Sequence, residues 1–356
     1  MPPPLPDSDA RRILVYRTGH LGDTVCAIPA FRLIRQAFPD ANLTLLCDQP
    51  DGQKVPAVSV VRRLHIFNEV RTYRSRRGWR TYLDLGWQIR RSRSDLAILL
   101  SQSRETPLEL GNKKRFFQKC GVGNVRMFCQ LANPCSFHPT ESVRLIEMLA
   151  GMGIVGVKPA YAIPVDAADR ATVCEKLQAM GVDPARPFLV FSGGGKTPAQ
   201  QWPLERYAQV LAGLAQEFSL PVVALGTASE RDQYRVGLLP GYPALKIPGS
   251  AFSLGELFEV CRLAALYLGN DTGTMHVAAA VGCQVAAVIS ARNPPGAWDP
   301  DLPASARLVF RHRTFCENCF LNACEVEGFR CLLSITAEDV LAELLPFIRN
   351  IFPPPA

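Results

Sequence analysis

Residues 12–48 read RILVYRTGHLGDTVCAIPAFRLIRQAFPDANLTLLCD, and the succession of patterns in this stretch decides the fold class. RILVYR (12–17) is a short apolar run with β-branched residues, which is typical of a buried strand. A turn with two glycines follows, and the next apolar residues recur three or four positions apart, as on one face of a helix. NLTLLCD (42–48) is a second strand. This order predicts a βαβ unit and therefore a parallel sheet with right-handed crossovers.

The second half of the chain repeats this succession. FLVFSGGG (188–195) is an apolar run that leads into glycines, LERYAQVLAGLAQEF (204–218) has the spacing of a helix, and PVVALG (221–226) is a strand. LYLGND (266–271) and QVAAVIS (284–290) are further strands, separated by an alanine-rich helix. Strands that alternate with helices over this length indicate a second α/β sheet.

The length of 356 residues predicts two domains, because single domains average roughly 150 residues. An N-terminal domain is assigned to residues 1–165, a linker region to 166–186 and a C-terminal domain to 187–356. The last predicted helix starts at Thr336, which fits a capping box with Asp339. We therefore expect an α/β protein with two Rossmann-like domains.

The composition excludes several classes of protein. Apolar residues make up 48% and charged residues 20% of the chain, as in an ordinary globular protein and unlike a disordered one. No apolar run approaches the ~20 residues that span a bilayer. The segment MPPPLPDSDARR lacks the apolar core of a signal peptide, so a cytoplasmic location is expected.

Positive charge is concentrated in the first half of the chain. Residues 1–150 hold 23 Lys and Arg against 13 Asp and Glu, whereas the rest holds 16 against 19. The basic residues cluster in RTYRSRRGWR (71–80), RRSR (90–93) and KKR (113–115). This pattern fits an anionic partner or, equally, a solvated arginine-rich surface. A nucleic-acid partner is disfavoured, because no recognisable nucleic-acid module or array of stacking aromatic residues accompanies the charge.

Three loops that follow predicted strands have the composition of ligand-binding turns. In open parallel sheets, ligands bind at the carboxyl ends of strands, where loops lead into helix N-termini. The first loop is TGHLGD (18–23), in which two glycines allow a close backbone approach and Asp23 falls near a helix start. Asp23 is either a functional carboxylate or an ordinary first-turn residue that the helix dipole favours.

The second loop is SGGGKT (192–197). Its three consecutive glycines expose peptide N–H groups, and Lys196 adds a mobile positive charge, a combination suited to diphosphate oxygens. The spacing is not that of a P-loop. A flexible surface turn is the alternative interpretation.

The third loop is GNDTGTMH (269–276), which precedes the alanine-rich helix. Unpaired helix N–H groups and the hydroxyls of Thr272 and Thr274 would converge there, as at an anion site. His276 lies within the first two turns of the helix and could reach the same ligand. A structural histidine is the alternative, although the position of His276 beside Asp271 favours a function.

Motifs of several other enzyme classes are absent from the sequence. No G-x-G-x-x-G follows either opening strand, which argues against a dinucleotide-dependent dehydrogenase. A metal-ligand helix motif and a G-x-S-x-G nucleophile elbow are absent as well. Redox chemistry and serine hydrolysis are therefore disfavoured.

Four of the twelve cysteines lie in a polar segment before the last helix. Cys316, Cys319, Cys324 and Cys331 could hold a structural zinc ion, although the gap between the second and third is shorter than in common zinc ribbons. Reversible disulfides and plain thiols are equally compatible with this spacing. The remaining cysteines lie mostly in apolar segments, as reduced core cysteines do.

Three segments together resemble glycosyltransferase family nine, the heptosyltransferase-like enzymes. The opening stretch, RILVYRTGHLGDTVCAIPAFRLIRQAFPDANLTLL, is similar to the N-terminal signature of the family, with a basic residue and a Gly-Asp pair after the first strand. QQWPLERYAQVL resembles its Trp-Pro helix start, and GNDTGTMHVAAAVGCQVAAVIS resembles its donor-site segment. The three occur in the expected order over most of the chain.

The resemblance implies two facing Rossmann-like domains, the GT-B arrangement, with the C-terminal helix as a candidate to pack back on the N-terminal domain. It implies an acceptor site at Gly19, His20 and Gly22, a nucleotide-sugar site in the C-terminal domain, and inversion at the anomeric carbon without a bound metal or other cofactor. Asp23 matches the catalytic aspartate, and Glu230 corresponds to an acidic residue that contacts the nucleoside. The residues and the resemblance together predict these donor-binding positions: Gly193, Gly194, Gly195, Lys196, Thr197, Glu230, Asp271, Thr272, Gly273, Thr274 and His276.

One departure from the family pattern concerns the donor. Many relatives have a diphosphate-binding lysine two positions before the Trp-Pro pair, where this chain has Gln200. Lys196 is the expected substitute. The departure keeps a second hypothesis open, a non-catalytic nucleotide-sugar or glycan-binding protein on the same fold. For an enzyme, an ADP-sugar such as ADP-heptose is the first expected donor. The expected acceptor is an anionic lipopolysaccharide-type glycolipid or another glycan. Peripheral contact with the cytoplasmic face of the inner membrane is expected as well.

Overall fold

The chain forms two compact units. The first ends at Pro164 and the second begins at Val165. Each is built on one parallel sheet with helices, which confirms the predicted α/β fold with two Rossmann-like sheets. The computed structural model describes residues 10–49, 57–74, 78–102, 105–128, 139–324 and 330–352.

The described part of the first unit contains five strands and five α-helices. The strands are β1 (Arg12–Tyr16), β2 (Asn42–Gln49), β3 (Glu69–Arg74), β4 (Leu96–Leu99) and β5 (Asn124–Arg126). The helices are α1 (Leu21–Ala37), α2 (Ala57–Val61), α3 (Trp79–Ser92), α4 (Pro107–Lys119) and α5 (Glu141–Gly151). The strands pair in parallel in the order β3-β2-β1-β4-β5.

The central strand β1 explains why this sheet forms. Ile13, Leu14 and Val15 have no exposed surface, as expected for a parallel strand that is covered on both faces. In register, Tyr16 lies beside Leu46 of β2 and Leu99 of β4. The strand order reverses between β1 and β4, and ligands of such sheets bind beyond the strand ends at this switch point. The turn that leads from β1 into α1, whose third residue is Asp23, therefore starts at the switch point.

The second unit has the same architecture with one more strand. Its strands are β6 (Leu189–Ser192), β7 (Val222–Ala224), β8 (Leu245–Lys246), β9 (Leu266–Asn270), β10 (Gln284–Val288) and β11 (Arg307–Phe310). Its helices are α6 (Ala167–Ala179), α7 (Leu204–Glu217), α8 (Ala228–Gly237), α9 (Leu254–Leu263), α10 (Gly273–Ala280), α11 (Arg330–Leu333) and α12 (Ala337–Ile351).

The strand order of the second sheet is β11-β10-β9-β6-β7-β8, with all neighbours parallel. Counted from β6 as the first strand, this is the 3-2-1-4-5-6 order of dinucleotide-binding folds. Its switch point lies between β6 and β9. The glycine loop follows β6 and the Asp-Thr-Gly loop follows β9, so the topology brings the two predicted donor loops to the same edge of the sheet.

Helix α12 packs against the core of the second unit. Val340, Leu344 and Ile348 are fully buried in the core of the second unit, and the helix contacts α7 and β11. Their spacing places them on one face of α12. Thr336 caps the helix as predicted, because its hydroxyl accepts the N–H of Asp339 at 3.1 Å.

The segment that was assigned as a linker contains helix α6. Asp166 caps this helix by accepting the N–H groups of Ala168 and Asp169, at 3.0 and 3.1 Å. The helix packs on α9 of the second unit, and Lys176 of α6 contacts Glu256 of α9 at 2.7 Å. Within the described ranges, none of the helices combines the length and the apolar character of a bilayer-spanning segment.

Candidate functional site

The turn between β1 and α1 fixes the position of Asp23 through Gly19. Gly19 has a φ of +135°, and a Cβ added to it would lie 2.4 Å from the Cβ of Asp23. Its N–H donates to the Oδ1 of Asp48, at the end of β2, at 3.0 Å. Only glycine fits this turn, because any side chain would displace Asp23. Asp48 was missed in the sequence, although its place at a strand end was a signal.

Asp23 is the third residue of α1 and is half-buried rather than part of the core. Its Oδ2 accepts the backbone N–H of His20 at 2.9 Å, which forms a capping box with the N-cap residue. Gly22 lies in the first turn of the same helix. Asp23 thus has the capping role that was the alternative interpretation, and its chemical role stays a prediction.

A buried charge network holds the backbone next to Asp23. Arg17 donates to the carbonyl oxygens of Leu100 at 3.3 Å and Ser101 at 3.2 Å, beyond β4, and to Glu141 Oε1 at 2.9 Å. Its second NH group approaches the carbonyl oxygen of Asp23 at 3.5 Å. Arg144 donates to both oxygens of Glu141, at 2.6 and 2.8 Å. The network joins α5 to the carboxyl ends of β1 and β4.

Glu141 is ionised in this network. Burial alone would raise the pKa of its carboxyl group, but Arg144 and Arg17 outweigh burial and lower the pKa. Burial alone would lower the pKa of Arg17. The nearby negative charges, above all that of Glu141, outweigh burial and raise this pKa. Glu141 and Arg144 were not predicted from the sequence, because Arg17 lies far from both in the chain. Arg17 and Glu141 are 124 positions apart.

In the second unit, Asn270 joins the two predicted donor loops. Its Nδ2 donates to the carbonyl oxygens of Gly193 at 2.7 Å and Gly194 at 3.0 Å. Its Oδ1 accepts the backbone N–H of Trp202 at 3.2 Å and the hydroxyl of Tyr207 at 2.8 Å. Asn270 is fully buried. This residue, which precedes the Asp-Thr-Gly loop, was not among the predicted site residues, yet it fixes the glycine turn.

Glu230 lies against the glycine turn. A Cβ added to Gly194 would be 1.8 Å from the Oε1 of Glu230, so only glycine leaves room for this carboxylate. Glu230 is the third residue of α8, and its Oε2 accepts the backbone N–H of Thr227 at 2.7 Å in a capping box. The structure therefore brings Glu230 to the turn where the sequence placed the nucleotide.

The start of α10 lies at the same edge of the sheet. Thr272 is the N-cap, and Gly273 and Thr274 lie in the first turn, where the N–H groups of an α-helix have no partner within the helix. The Tyr267 hydroxyl lies 3.3 Å from the Thr272 hydroxyl. Behind the turn, the Nε2 of His276 lies 3.8 Å from the Oδ1 of Asp271, and both side chains are buried.

Gln200 connects the two loops instead of contacting an anion as a lysine would. Its Nε2 donates to the carbonyl oxygen of Asp271 at 3.0 Å, and its Oε1 accepts the hydroxyl of Thr197 at 3.1 Å. The departure from the family pattern thus has a structural consequence, a bridge between the glycine turn and the start of α10. Lys196, the predicted substitute cation, is exposed on the same turn.

Arg292, which is buried, and Arg311, which is partly buried, add positive charge beyond the strand ends. Arg292, which follows β10, donates to the Thr197 hydroxyl at 3.2 Å and is buried. Arg311, which follows β11, donates to the carbonyl oxygen of Asn293 at 2.8 Å and lies 3.5 Å from Asp299. Burial lowers the pKa of Arg311 and the nearby carboxylates raise it, and arginine stays protonated in proteins. No sequence pattern marks either arginine beyond its place after a strand.

The loop with the clustered cysteines packs against Arg292. Phe320 and Asn322 accept hydrogen bonds from its guanidinium group, at 3.4 and 3.1 Å. No disulfide forms among Cys316, Cys319, Cys324 and Cys331, and burial together with the other three thiols raises the pKa of Cys331. In the described part of the chain, which includes all four, no three metal-ligating side chains are placed to hold an ion. The zinc site stays a prediction.

Comparisons with known proteins agree with this geometry. The sequence profile of glycosyltransferase family 9 (heptosyltransferase) matches residues 144–328, just over half of the chain. No curated protein sequence matches the chain significantly. Among solved structures, a glycosyl transferase family 9 protein from Veillonella parvula DSM 2008 has a TM-score of 0.72 at 18% identity, over 96% of this chain and 98% of that one.

Two Escherichia coli structures are also similar to the chain. ADP-heptose lps heptosyltransferase II has a TM-score of 0.64 at 20% identity, over 95% of this chain and 99% of its own. Heptosyltransferase WaaC, solved with ADP, has a TM-score of 0.60 at 17% identity, over 96% and 99%. At these identities the structural matches establish the fold, and the profile match establishes the family. The chain therefore belongs to glycosyltransferase family 9 and is a glycosyltransferase.

Proposed function

We propose that the protein is an inverting, metal-independent glycosyltransferase that moves a sugar from a nucleotide-diphosphate donor to a lipopolysaccharide-type or other glycan acceptor. Heptose from ADP-heptose is the first candidate, since one similar structure is named for this donor and another was solved with ADP. The observation that carries the proposal is the meeting of the glycine turn, Glu230 and the start of α10 at one edge of the second sheet.

The donor site is assigned to the second unit. The diphosphate would lie against the glycine turn at Gly193 to Gly195 and the N-terminus of α10, because the first N–H groups of a helix and its dipole favour anions. Lys196 and Arg292 supply positive charge at this turn. Glu230 would contact the nucleoside, and Asp271 with His276 would hold the start of α10 in place.

The chemical step is a single displacement at the anomeric carbon. The acceptor hydroxyl loses its proton to the Asp23 carboxylate while its oxygen attacks the anomeric carbon, and the bond to the diphosphate oxygen breaks with inversion. The products are the glycoside and the nucleoside diphosphate. The cations and amides at the donor site would stabilise the negative charge that develops on the leaving group, which is the role that a divalent metal has in other enzymes.

The acceptor site is assigned to the first unit, next to Gly19, His20 and Gly22. The excess of basic residues before residue 151 suits an anionic glycan or glycolipid rather than a neutral one. A glycolipid acceptor would place the protein at the cytoplasmic face of a membrane. Nucleic acid is not expected as a partner.

The experiment combines the full-length protein with ADP-heptose and a panel of lipopolysaccharide core acceptors. Three results together support the proposal. ADP is released only when an acceptor is present, NMR shows an inverted anomeric configuration in the product, and EDTA does not reduce turnover. UDP- and GDP-sugars serve as control donors for comparison with ADP-heptose. The second candidate is a non-catalytic nucleotide-sugar or glycan-binding protein, which the Gln200 bridge at the family lysine position supports. Tight nucleotide binding without release of a nucleoside diphosphate, for any donor and acceptor, would favour this candidate.

A further inference from the structure

Helix α3 of the first unit has two apolar faces, only one of which is buried. Leu85 and Ile89 face the core, with 7% and 0% of their surface exposed. Trp79, Leu83 and Trp87 recur every four residues on a different face and are 67%, 62% and 54% exposed. A surface helix of a globular protein normally has polar residues on the face away from its core.

The exposed apolar surface continues from α3 to the neighbouring helix α4. Tyr82 is 62% exposed, and its ring contacts Phe116 of α4 edge to face, with a centroid distance of 5.9 Å. Leu108, in the first turn of α4, is 69% exposed. Contiguous exposed apolar patches of this kind usually mark a binding surface. The exposed side chains of Trp79, Tyr82, Leu83 and Trp87 form what we call the docking face.

Arginine side chains border the docking face. The guanidinium carbon of Arg91 lies 4.9 Å from the centroid of the Trp87 ring, and that of Arg80 lies 5.7 Å from the Trp79 ring. Arg90 is exposed beside them and donates to the carbonyl oxygen of Lys119 at the end of α4. Further exposed basic residues follow on α4 at Lys114, Arg115 and Lys119.

The single acidic residue within α3 does not offset this charge on the outer face. Asp84 accepts the backbone N–H of Arg74 at 2.9 Å, so its carboxylate is used to join α3 to β3. The outer face therefore combines two indole rings, a tyrosine and a leucine with a border of cations. Tryptophan and tyrosine favour the level of lipid headgroups, and arginines there attract anionic lipids.

We propose that the docking face of α3 binds the surface of an anionic phospholipid bilayer, with the tryptophan and leucine side chains at headgroup depth and Arg80, Arg90 and Arg91 against lipid phosphates. A second copy of the chain suits this face less well, because a symmetric contact would bring the arginine borders of two α3 helices together. This inference extends the proposed function, since a glycolipid acceptor lies in a membrane, but its test uses neither donor nor acceptor.

The tryptophans of the chain provide a direct measurement. Of four tryptophans, Trp202 is buried, Trp298 is half-buried, and the two exposed ones both lie on the docking face. Vesicles of phosphatidylcholine with phosphatidylglycerol should therefore shift the tryptophan emission of the full-length protein to shorter wavelength and sediment the protein with them. Vesicles of phosphatidylcholine alone should do so far less, and high salt should weaken the binding.

Two pairs of substitutions separate the apolar and the charged contributions. Trp79→Ser with Trp87→Ser should weaken the partitioning to anionic vesicles at least about tenfold. Arg90→Gln with Arg91→Gln should weaken it by about fivefold for each arginine and leave binding to neutral vesicles unchanged. The controls are Val157→Ser, an apolar side chain with 90% exposure elsewhere on the first unit, and Arg186→Gln, an exposed arginine of the second unit.

The proposal fails if the wild-type protein does not sediment with phosphatidylglycerol vesicles, or if the double tryptophan variant, with an unchanged melting temperature, sediments as well as the wild type. A lipid-free dimer that the tryptophan substitutions dissociate would assign the face to a second copy instead. Neither result bears on ADP release, so a failure here is distinguishable from a failure of the proposed transferase reaction.

Discussion

At the scale of single residues, Asp23 combines a structural and a proposed chemical role. Its carboxylate caps α1 through the N–H of His20. Asparagine retains an oxygen that can accept this bond but has no basicity. The substitution Asp23→Asn therefore separates the two roles.

We expect Asp23→Asn to lower the rate of transfer roughly 10²- to 10⁴-fold, which is the usual contribution of a general base. Nucleotide affinity and melting temperature should change little, since the capping acceptor is kept. Initial rates of ADP release and calorimetric titration with ADP provide the measurements. If the variant turns over at the wild-type rate, Asp23 is only a capping residue.

The glycine turn of the second unit provides a second test at this scale. Gly194→Ala would force Glu230 away from the turn, because the added methyl group would lie 1.8 Å from its Oε1. We expect weaker binding of nucleoside diphosphates by about tenfold or more, a loss of ~1.4 kcal/mol or more. Gly249→Ala is the matched control, since nothing lies within 4 Å of a Cβ there. Equal affinities of the two variants would remove the turn from the donor site.

Because Gln200 replaces the family lysine, another residue must supply the positive charge at the proposed diphosphate site, and this assignment can be tested. Lys196→Ala should weaken the binding of a nucleoside diphosphate more than the binding of the nucleoside, because the lysine is assigned to the phosphates and not to the base. Lys246→Ala, at the edge strand β8, controls for the loss of one charge in the same unit. If the Lys196 variant binds both ligands like the wild type, Arg292 is the remaining cation at the Thr197 hydroxyl.

At the scale of secondary-structure elements, the Arg17, Glu141 and Arg144 network connects α5 with the ends of β1 and β4. All three side chains are buried, so removing the central carboxylate leaves two buried cations without their counter-charge. We expect Glu141→Gln to destabilise the protein by roughly 3–5 kcal/mol. Chemical denaturation at neutral pH measures this loss.

The same network predicts a pH dependence of stability. The pKa of Glu141 is lower in the folded than in the unfolded chain, so its contribution is present above the unfolded value of about 4.3 and is lost as the pH falls through the folded pKa. The difference in unfolding free energy between the wild type and Glu141→Gln should therefore shrink below about pH 4. A constant difference down to strongly acidic pH would show that the carboxylate is not the stabilising group.

At the scale of the whole molecule, a nucleoside diphosphate should stabilise the protein by binding the folded chain alone. At one hundred times its dissociation constant, a ligand adds ~2.7 kcal/mol to the unfolding free energy. We expect ADP to raise the melting temperature more than UDP or GDP, and Gly194→Ala to reduce this shift. A larger shift with UDP or GDP would reassign the donor and leave the fold assignment untouched.

The fold class and the positions of the candidate loops could be predicted from the sequence because both depend on local patterns. The apolar runs with their glycine turns specify strands that lead into helices, and two such series predict two parallel sheets. The meeting of the glycine turn and the Asp-Thr-Gly loop follows from the strand order of the folded sheet, which places β6 beside β9 at the switch point.

Only the tertiary structure decided which side chains hold those loops in place. Asn270 with Gly193, Gln200 with Asp271, and Arg17 with Glu141 pair residues that are 77, 71 and 124 positions apart. Periodicity in the sequence indicates which face of an element is apolar. The partner of a buried polar group depends instead on how distant elements pack, because each such group needs a hydrogen bond and only the fold brings its partner close.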